Sequence, residues 1–175
     1  MNTAVDFSLN VTPRLMPEAM IEALRARFGE RFAQSLAVRE QHGRDESPFD
    51  APPPEAVVFC ESTDDVAFVV ASACEHRVPV IPYGAGSSLE GHLLAVQGGV
   101  SVDVSRMDRL LQLNPEDLTV TVQAGVTRMQ LNREIKDSGL FFPIDPGADA
   151  AVALGHARAV SESGGAVVAG AGRDL

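Results

Sequence analysis

The sequence predicts an α+β fold in which a parallel β-α-β unit is followed by the start of an antiparallel unit. Short apolar, β-prone runs at Val57–Cys60 and Pro79–Tyr83 flank a segment whose apolar residues repeat at helical spacing. The second run breaks at once into a loop of glycines and serines. Farther on, Leu110–Leu113 and Thr119–Gln123 read as strands joined across Asn114-Pro115-Glu116-Asp117, residue types that suit a turn.

Taken in order, residues 1–16 show little periodicity. Pro17 suits the first turn of a helix carrying Met20, Ile21, Leu24 and Phe28 on one face, with Gly29 as its stop. Arg25, Arg27 and Arg31 read as the solvated side of that helix. Residues 39–55 turn polar and proline-rich and read as an extended connector, with His42 a polar residue within it. After the strand at Val57, Ser62 and Thr63 are candidate N-caps, and Asp64 and Asp65 are favourably placed in the first turn. Val66, Val69, Val70, Ala73 and Cys74 follow at i, i+3, i+4, i+7 and i+8, which predicts one sheet-facing stripe. Strand, helix and strand at this spacing favour a parallel unit. Val100–Val104 reads as an alternating strand. Thr127 caps a helix that buries Leu131 and Ile135 and closes at Gly139.

The loop Tyr83-Gly84-Ala85-Gly86-Ser87-Ser88-Leu89-Glu90-Gly91-His92 therefore leaves the C-terminal end of a parallel strand, where α/β sheets bind ligands. Glycines let a ligand approach the main chain closely, and successive N–H groups can converge on an anion, with serine hydroxyls as further donors. The spacing departs from the dinucleotide G-x-G-x-x-G, because Leu89 stands at the third glycine position. A P-loop is excluded, since the only lysine is Lys136. Spacing alone leaves two readings open: a diphosphate cradle, or a tight turn that holds nothing.

Bulk properties narrow the function. The 175 residues suit one domain of ordinary size, and 45% hydrophobic with 22% charged residues is a globular composition. A net charge of −10 argues against nucleic acid and against an anionic membrane surface. No apolar run approaches the ~18 residues of a membrane span, and the N-terminus has no secretion-signal pattern. Cys60 and Cys74 stand in apolar stretches and read as buried, reduced thiols of a cytoplasmic protein. Four scattered histidines make no metal site. Asp103, Asp108, Glu116 and Asp117 read as solvated carboxylates, and Glu90 as pointing outward or capping an amide. His92 ends the loop within reach of a ligand. No catalytic residue is assigned.

Pro52–Asp65, Val80–His92 and Pro143–Ala150, with the strand pair between them, make the chain resemble the FAD-linked oxidases and dehydrogenases of the vanillyl-alcohol-oxidase type. The resemblance is to the branch of D-lactate dehydrogenase (cytochrome) and the glycolate oxidase FAD subunit, and spans residues 17–150. It implies a PCMH-type FAD-binding domain, incomplete at its C-terminal side. It also implies FAD as cofactor, held by Pro82, Tyr83, Gly84, Ala85, Gly86, Ser87, Ser88 and Gly91 and bordered by Pro146, Gly147, Ala148 and Asp149. The implied reaction is oxidation of a small 2-hydroxy acid, with electrons passed to a cytochrome, quinone or electron-transfer flavoprotein. The enolpyruvyl-UDP-GlcNAc reductase branch of the same fold matches Pro143–Ala150 less well. A covalent link between His92 and flavin is the minor reading, because the linking histidine of related families falls elsewhere.

The expected organisation is residues 1–51 as helix and connector, 52–150 as the N-terminal part of the FAD-binding domain, and 151–175 as a biased tail. Of these last 25 residues, 16 are Ala, Gly or Val. The family continues past Pro-Gly-Ala-Asp-Ala with other glycine-rich FAD-contacting segments. A frameshift or truncation near residue 151 is the hypothesis that accounts for the difference. On that hypothesis the sheet keeps unpaired edges and the chain alone does not oxidise hydroxy acids. The competing expectation is a non-catalytic remnant or binding module that keeps the β-α core without a flavin site.

Overall fold

A computed structural model describes residues 14–142 together with the strand residues 166–169 and 172–173. Helix α1 (Glu18–Phe28) follows Pro17 and buries Met20, Leu24 and Phe28, one residue per turn on a single face. Strand β1 (Phe32–Ala33) precedes α2 (Leu36–His42), so part of the expected extended connector is helical. Strand β2 (Ala56–Phe59), helix α3 (Thr63–His76) and β3 (Val80–Tyr83) form the predicted β-α-β unit, with Ser62 as N-cap accepting from the Asp65 N–H. Strand β4 (Val100–Asp103) then inserts between β2 and β3, parallel to both, giving the order β1-β2-β4-β3. Because β4 is central, all four of its residues are buried, and the alternating strand read from Val-Ser-Val-Asp is covered on both faces.

The antiparallel unit holds β5 (Leu110–Asn114), β6 (Thr119–Val122) and β8 (Ala166–Ala169) in the order β5-β6-β8. Helix α4 (Arg128–Ile135) is capped by Thr127 and buries Leu131 and Ile135 as predicted, and Gly139 closes the next turn in the left-handed conformation. The short β7 (Leu140–Phe141) pairs with β9 (Gly172–Arg173). Strands β8 and β9 lie inside the compositionally biased tail. Against the expectation of unpaired sheet edges, the β6 edge is hydrogen-bonded to β8, a pairing that needs only backbone groups that Ala and Val supply readily. Among the described residues, no helix is long and apolar enough to cross a membrane.

Two cores result. One joins Met20, Leu24 and Phe28 of α1 to Val58, Val102, Val69 and Ala73, and the other joins Val120 and Val122 to Leu131, Ile135, Leu140 and Phe142. The α3 stripe differs from expectation: Val69 and Ala73 are buried and Val66 is half-buried, but Val70 and Cys74 are exposed. The core-facing line runs instead through Asp65, Val69 and Ala73.

Asp65 is buried because arginines come to it. Arg31 Nη1 lies 2.5 Å from Asp65 Oδ2 and Arg27 Nη2 lies 3.5 Å from Oδ1. The Arg27 guanidinium also stands 4.6 Å from the Phe68 ring centroid, and that of Arg31 stands 5.2 Å from the Phe28 centroid. These arginines are thus bound to α3, a role beyond the solvation read from sequence. Burial pushes the Asp65 carboxyl up. Hydrogen bonds from Arg31 and the Glu61 N–H, with the two guanidinium charges, more than offset this and hold it below the usual carboxylate range. A carboxyl depressed in the folded state contributes stability above its unfolded value and loses it as pH falls through the folded one. Asp65→Asn is expected to flatten the thermal-midpoint profile below pH ~4 while lowering stability at neutral pH. An unchanged acid limb would overturn the pairing.

The cysteines divide in the same way. Burial, then the Asp65 charge, pushes the Cys60 thiol up to about 12, whereas Cys74 is exposed. A disulfide-exchange reagent is expected to titrate Cys74 in the native protein and Cys60 only after denaturation. Equal reaction of both thiols in native buffer would contradict this placement.

Candidate functional site

The glycine loop leaves β3 at the C-terminal ends of the parallel strands. There it forms a cleft of about 420 Å³ lined by Pro82, Tyr83, Gly84, Gly86, Ser87, Ser88, His92, Leu93, Val104 and Ala124. The end of β3 supplies Pro82 and Tyr83, and the loop supplies the next five. Leu93, Val104 and Ala124 give an apolar wall that sequence reasoning did not single out. Ala85 is exposed on the loop, and Gly91 turns it at φ +76 away from the lining. Pro146, Gly147, Ala148 and Asp149 lie outside the described residues.

The loop is tied down at its far end. Ser88 Oγ lies 3.0 Å from His92 Nδ1 and accepts from the Glu90 N–H at 3.3 Å, while the Ser88 carbonyl accepts from the Glu46 N–H at 2.9 Å. Next to Glu46, burial pushes the Asp45 carboxyl up, but hydrogen bonding from Ser47, the Leu93 backbone and Ser88 leaves it below the usual range. Glu90 is exposed, as expected. Its near end stays open: the N–H groups of Gly84, Ala85, Gly86 and Ser87 donate to no acceptor among the described residues.

Gly86 adopts φ +75, and a Cβ built on it would fall 2.6 Å from the Tyr83 hydroxyl oxygen. Glycine is required here twice over, by conformation and by the ring that passes beneath. Four undonated N–H groups and the Ser87 hydroxyl beside a turn that admits no side chain form a donor set for a diphosphate. An FAD diphosphate fits this chemistry.

Below the loop is a cluster that the sequence concealed. His42, read as a polar connector residue, is only 2% exposed, and Asp103, read as a solvated carboxylate, is 3% exposed. His42 Nε2 and Asp103 Oδ2 are 2.8 Å apart. The correction has one cause: β4 is the central strand, so its last residue is roofed by α2. Asp108, Glu116 and Asp117 are exposed, in keeping with the sequence reading. Burial, then the Asp103 charge, pushes the Tyr83 phenol up, so it remains a neutral donor.

A family model described as an FAD binding domain matches residues 54–175. The chain belongs to the FAD-binding-domain family. A probable mitochondrial D-lactate dehydrogenase of Danio rerio is 46% identical over 137 residues, covering 77% of this chain and 27% of the relative. The glycolate oxidase subunit GlcD of Bacillus subtilis is 35% identical over 117 residues, covering 67% of this chain and 25% of that protein. This FAD-binding domain thus spans 27% and 25% of the lengths of those relatives. Among solved structures, alkyldihydroxyacetonephosphate synthase superposes with a TM-score of 0.75 at 24% identity, over 90% of this chain and 34% of the synthase. p-Cresol methylhydroxylase gives 0.66 at 22% identity, over 77% and 28%. These likenesses show the fold, an α+β FAD-binding domain of the PCMH type. FAD, the cofactor expected from the sequence, is the one this family binds.

Proposed function

We propose that this FAD-binding domain serves an oxidoreductase that oxidises a 2-hydroxy acid of the D-lactate or glycolate type. The observation that carries the reading is the open set of loop N–H groups at the ends of β3 and β4, in a chain 46% identical over 137 residues to a probable D-lactate dehydrogenase. When bound, FAD supplies the hydride acceptor. The N–H groups of Gly84 to Ser87 and the Ser87 hydroxyl hold the diphosphate, Ser88 and His92 brace the loop, and Leu93, Val104 and Ala124 exclude water from one wall. Groups that bind the substrate carboxylate and take its hydroxyl proton come from outside these residues, because among the described residues the cleft lining carries no arginine or lysine. The chain by itself therefore binds FAD weakly and turns over no hydroxy acid, and electrons leave the whole enzyme to a cytochrome, quinone or flavoprotein.

The test is a graft in which this chain replaces the matching 137 residues of the Danio rerio relative. The expected result is D-lactate-dependent dye reduction by the graft and none by the chain alone with FAD. A graft that folds and binds flavin but oxidises neither D-lactate nor glycolate would overturn the proposal.

A further inference from the structure

The His42 imidazole is held from every side. Its Nδ1 lies 2.8 Å from the Val38 carbonyl, one turn back on α2. A carbonyl only accepts, so Nδ1 carries a proton, and a second proton lies between Nε2 and Asp103 Oδ2. The other carboxylate oxygen accepts from the Ser105 N–H at 2.7 Å. Phe59 meets the imidazole edge-on at 5.5 Å and 87°, and Tyr83 stacks on it at 4.1 Å and 39°.

The three groups around the ring come from one place in the sheet. Phe59, Asp103 and Tyr83 are register partners, the last row across β2, β4 and β3. Residues in one row share a face, so three strands each deliver one side chain to the same imidazole. Packing alone does not call for this arrangement. An apolar side chain would fill the space without the cost of drying a histidine and a carboxylate, and buried polar pairs of this kind serve geometry better than stability. The geometry served is that of Tyr83. Its ring lies on His42, and its hydroxyl oxygen lies 2.6 Å from where a Gly86 Cβ would stand.

We propose that His42, tethered by Asp103, is a positioning residue for cofactor binding: it fixes the Tyr83 ring on which the Gly84–Ser87 turn rests. The proposal builds on the reading of that turn as the FAD diphosphate site. His42 touches no cofactor atom in this account. It acts through Tyr83.

The protein carries its own reporter, because Tyr83 is its single tyrosine and it has no tryptophan. Tyrosine emission and anisotropy therefore read this ring alone. The experiment compares wild type, His42→Leu and His42→Gln in the full chain, first by tyrosine emission without nucleotide and then by titration with FAD and with ADP. His42→Leu keeps the volume and removes both hydrogen bonds, whereas His42→Gln keeps an N–H for Asp103. The expected result for His42→Leu is altered emission, lower anisotropy and a Kd for both nucleotides raised at least 10-fold, with His42→Gln restoring part of each. Should His42→Leu fail to fold, Asp103→Asn takes its place, since an amide cannot accept fully from both His42 and Ser105. A folded His42→Leu with wild-type emission, or with altered emission but wild-type affinities, overturns the proposal. A wild-type chain that binds neither nucleotide overturns the FAD reading and the cofactor role with it. That failure is distinct, because the emission comparison still reports whether His42 holds Tyr83.

Discussion

Gly86→Val is expected to raise the Kd for FAD and for ADP by about 100-fold or more while leaving the chain folded. Residue 86 has φ +75, a region that β-branched residues essentially avoid at a cost of about 1–3 kcal/mol. The new Cβ would also stand 2.6 Å from the Tyr83 hydroxyl oxygen, so either the ring or the turn must move. Moving either one breaks up the N–H groups of Gly84 to Ser87, which form the donor set. Gly29→Ala is the control: φ is +54, but nothing lies within 4 Å of the added Cβ, and Gly29 is not among the residues that line the cleft. It should cost about 1 kcal/mol of stability and leave nucleotide affinity alone. A folded Gly86→Val protein with wild-type affinity would remove the loop from the site.

Val69→Asp and Val70→Asp, neighbours on α3, are expected to differ widely. Val69 is 0% exposed in the core between α3, α1 and the sheet, whereas Val70 is 45% exposed. A carboxylate at residue 69 would be buried without a partner, a loss of about 3–5 kcal/mol that would unfold much of the protein. At residue 70 it would reach water, with an effect of about 0.5 kcal/mol or less. At ~2–4 °C per kcal/mol, the thermal midpoints should separate by roughly 10 °C. Equal midpoints would mean that α3 is rotated from the orientation described.

That orientation shows where a pattern in the chain stops being informative. The apolar period of α3 is real, and the helix, its Ser62 cap and its span follow from it. Its centre is displaced because Asp65 takes a core-facing position. Hydrophobicity ranks an aspartate as solvent-facing, and nothing local shows that Arg27 and Arg31 arrive from α1 and the turn after it to satisfy that carboxylate. The stripe is consequently shared by Asp65, Val66, Phe68, Val69 and Ala73, and Val70 and Cys74 are left outside. His42 and Asp103 concealed themselves in the same way, as polar residues in polar-looking stretches that become buried partners only when the strand ends meet.

What the sequence by itself determined is what short-range physics decides. Ser62 and Thr127 accept from N–H groups within one turn, Gly139 takes a left-handed turn, β5 and β6 pair across a few residues, and the Gly84–Gly91 loop begins where β3 ends. Each of these depends on residues near one another in the chain. The tertiary structure alone decided the order β1-β2-β4-β3. Strands β2 and β3 are consecutive around α3, but β4 enters between them, and ladder hydrogen bonds carry no mark of which distant strand they join. That insertion buries Val100–Asp103 on both faces and sets Phe59, Asp103 and Tyr83 in one row. It thereby makes His42 part of the site, because only a central strand could hold Asp103 out of water and beside the cofactor loop.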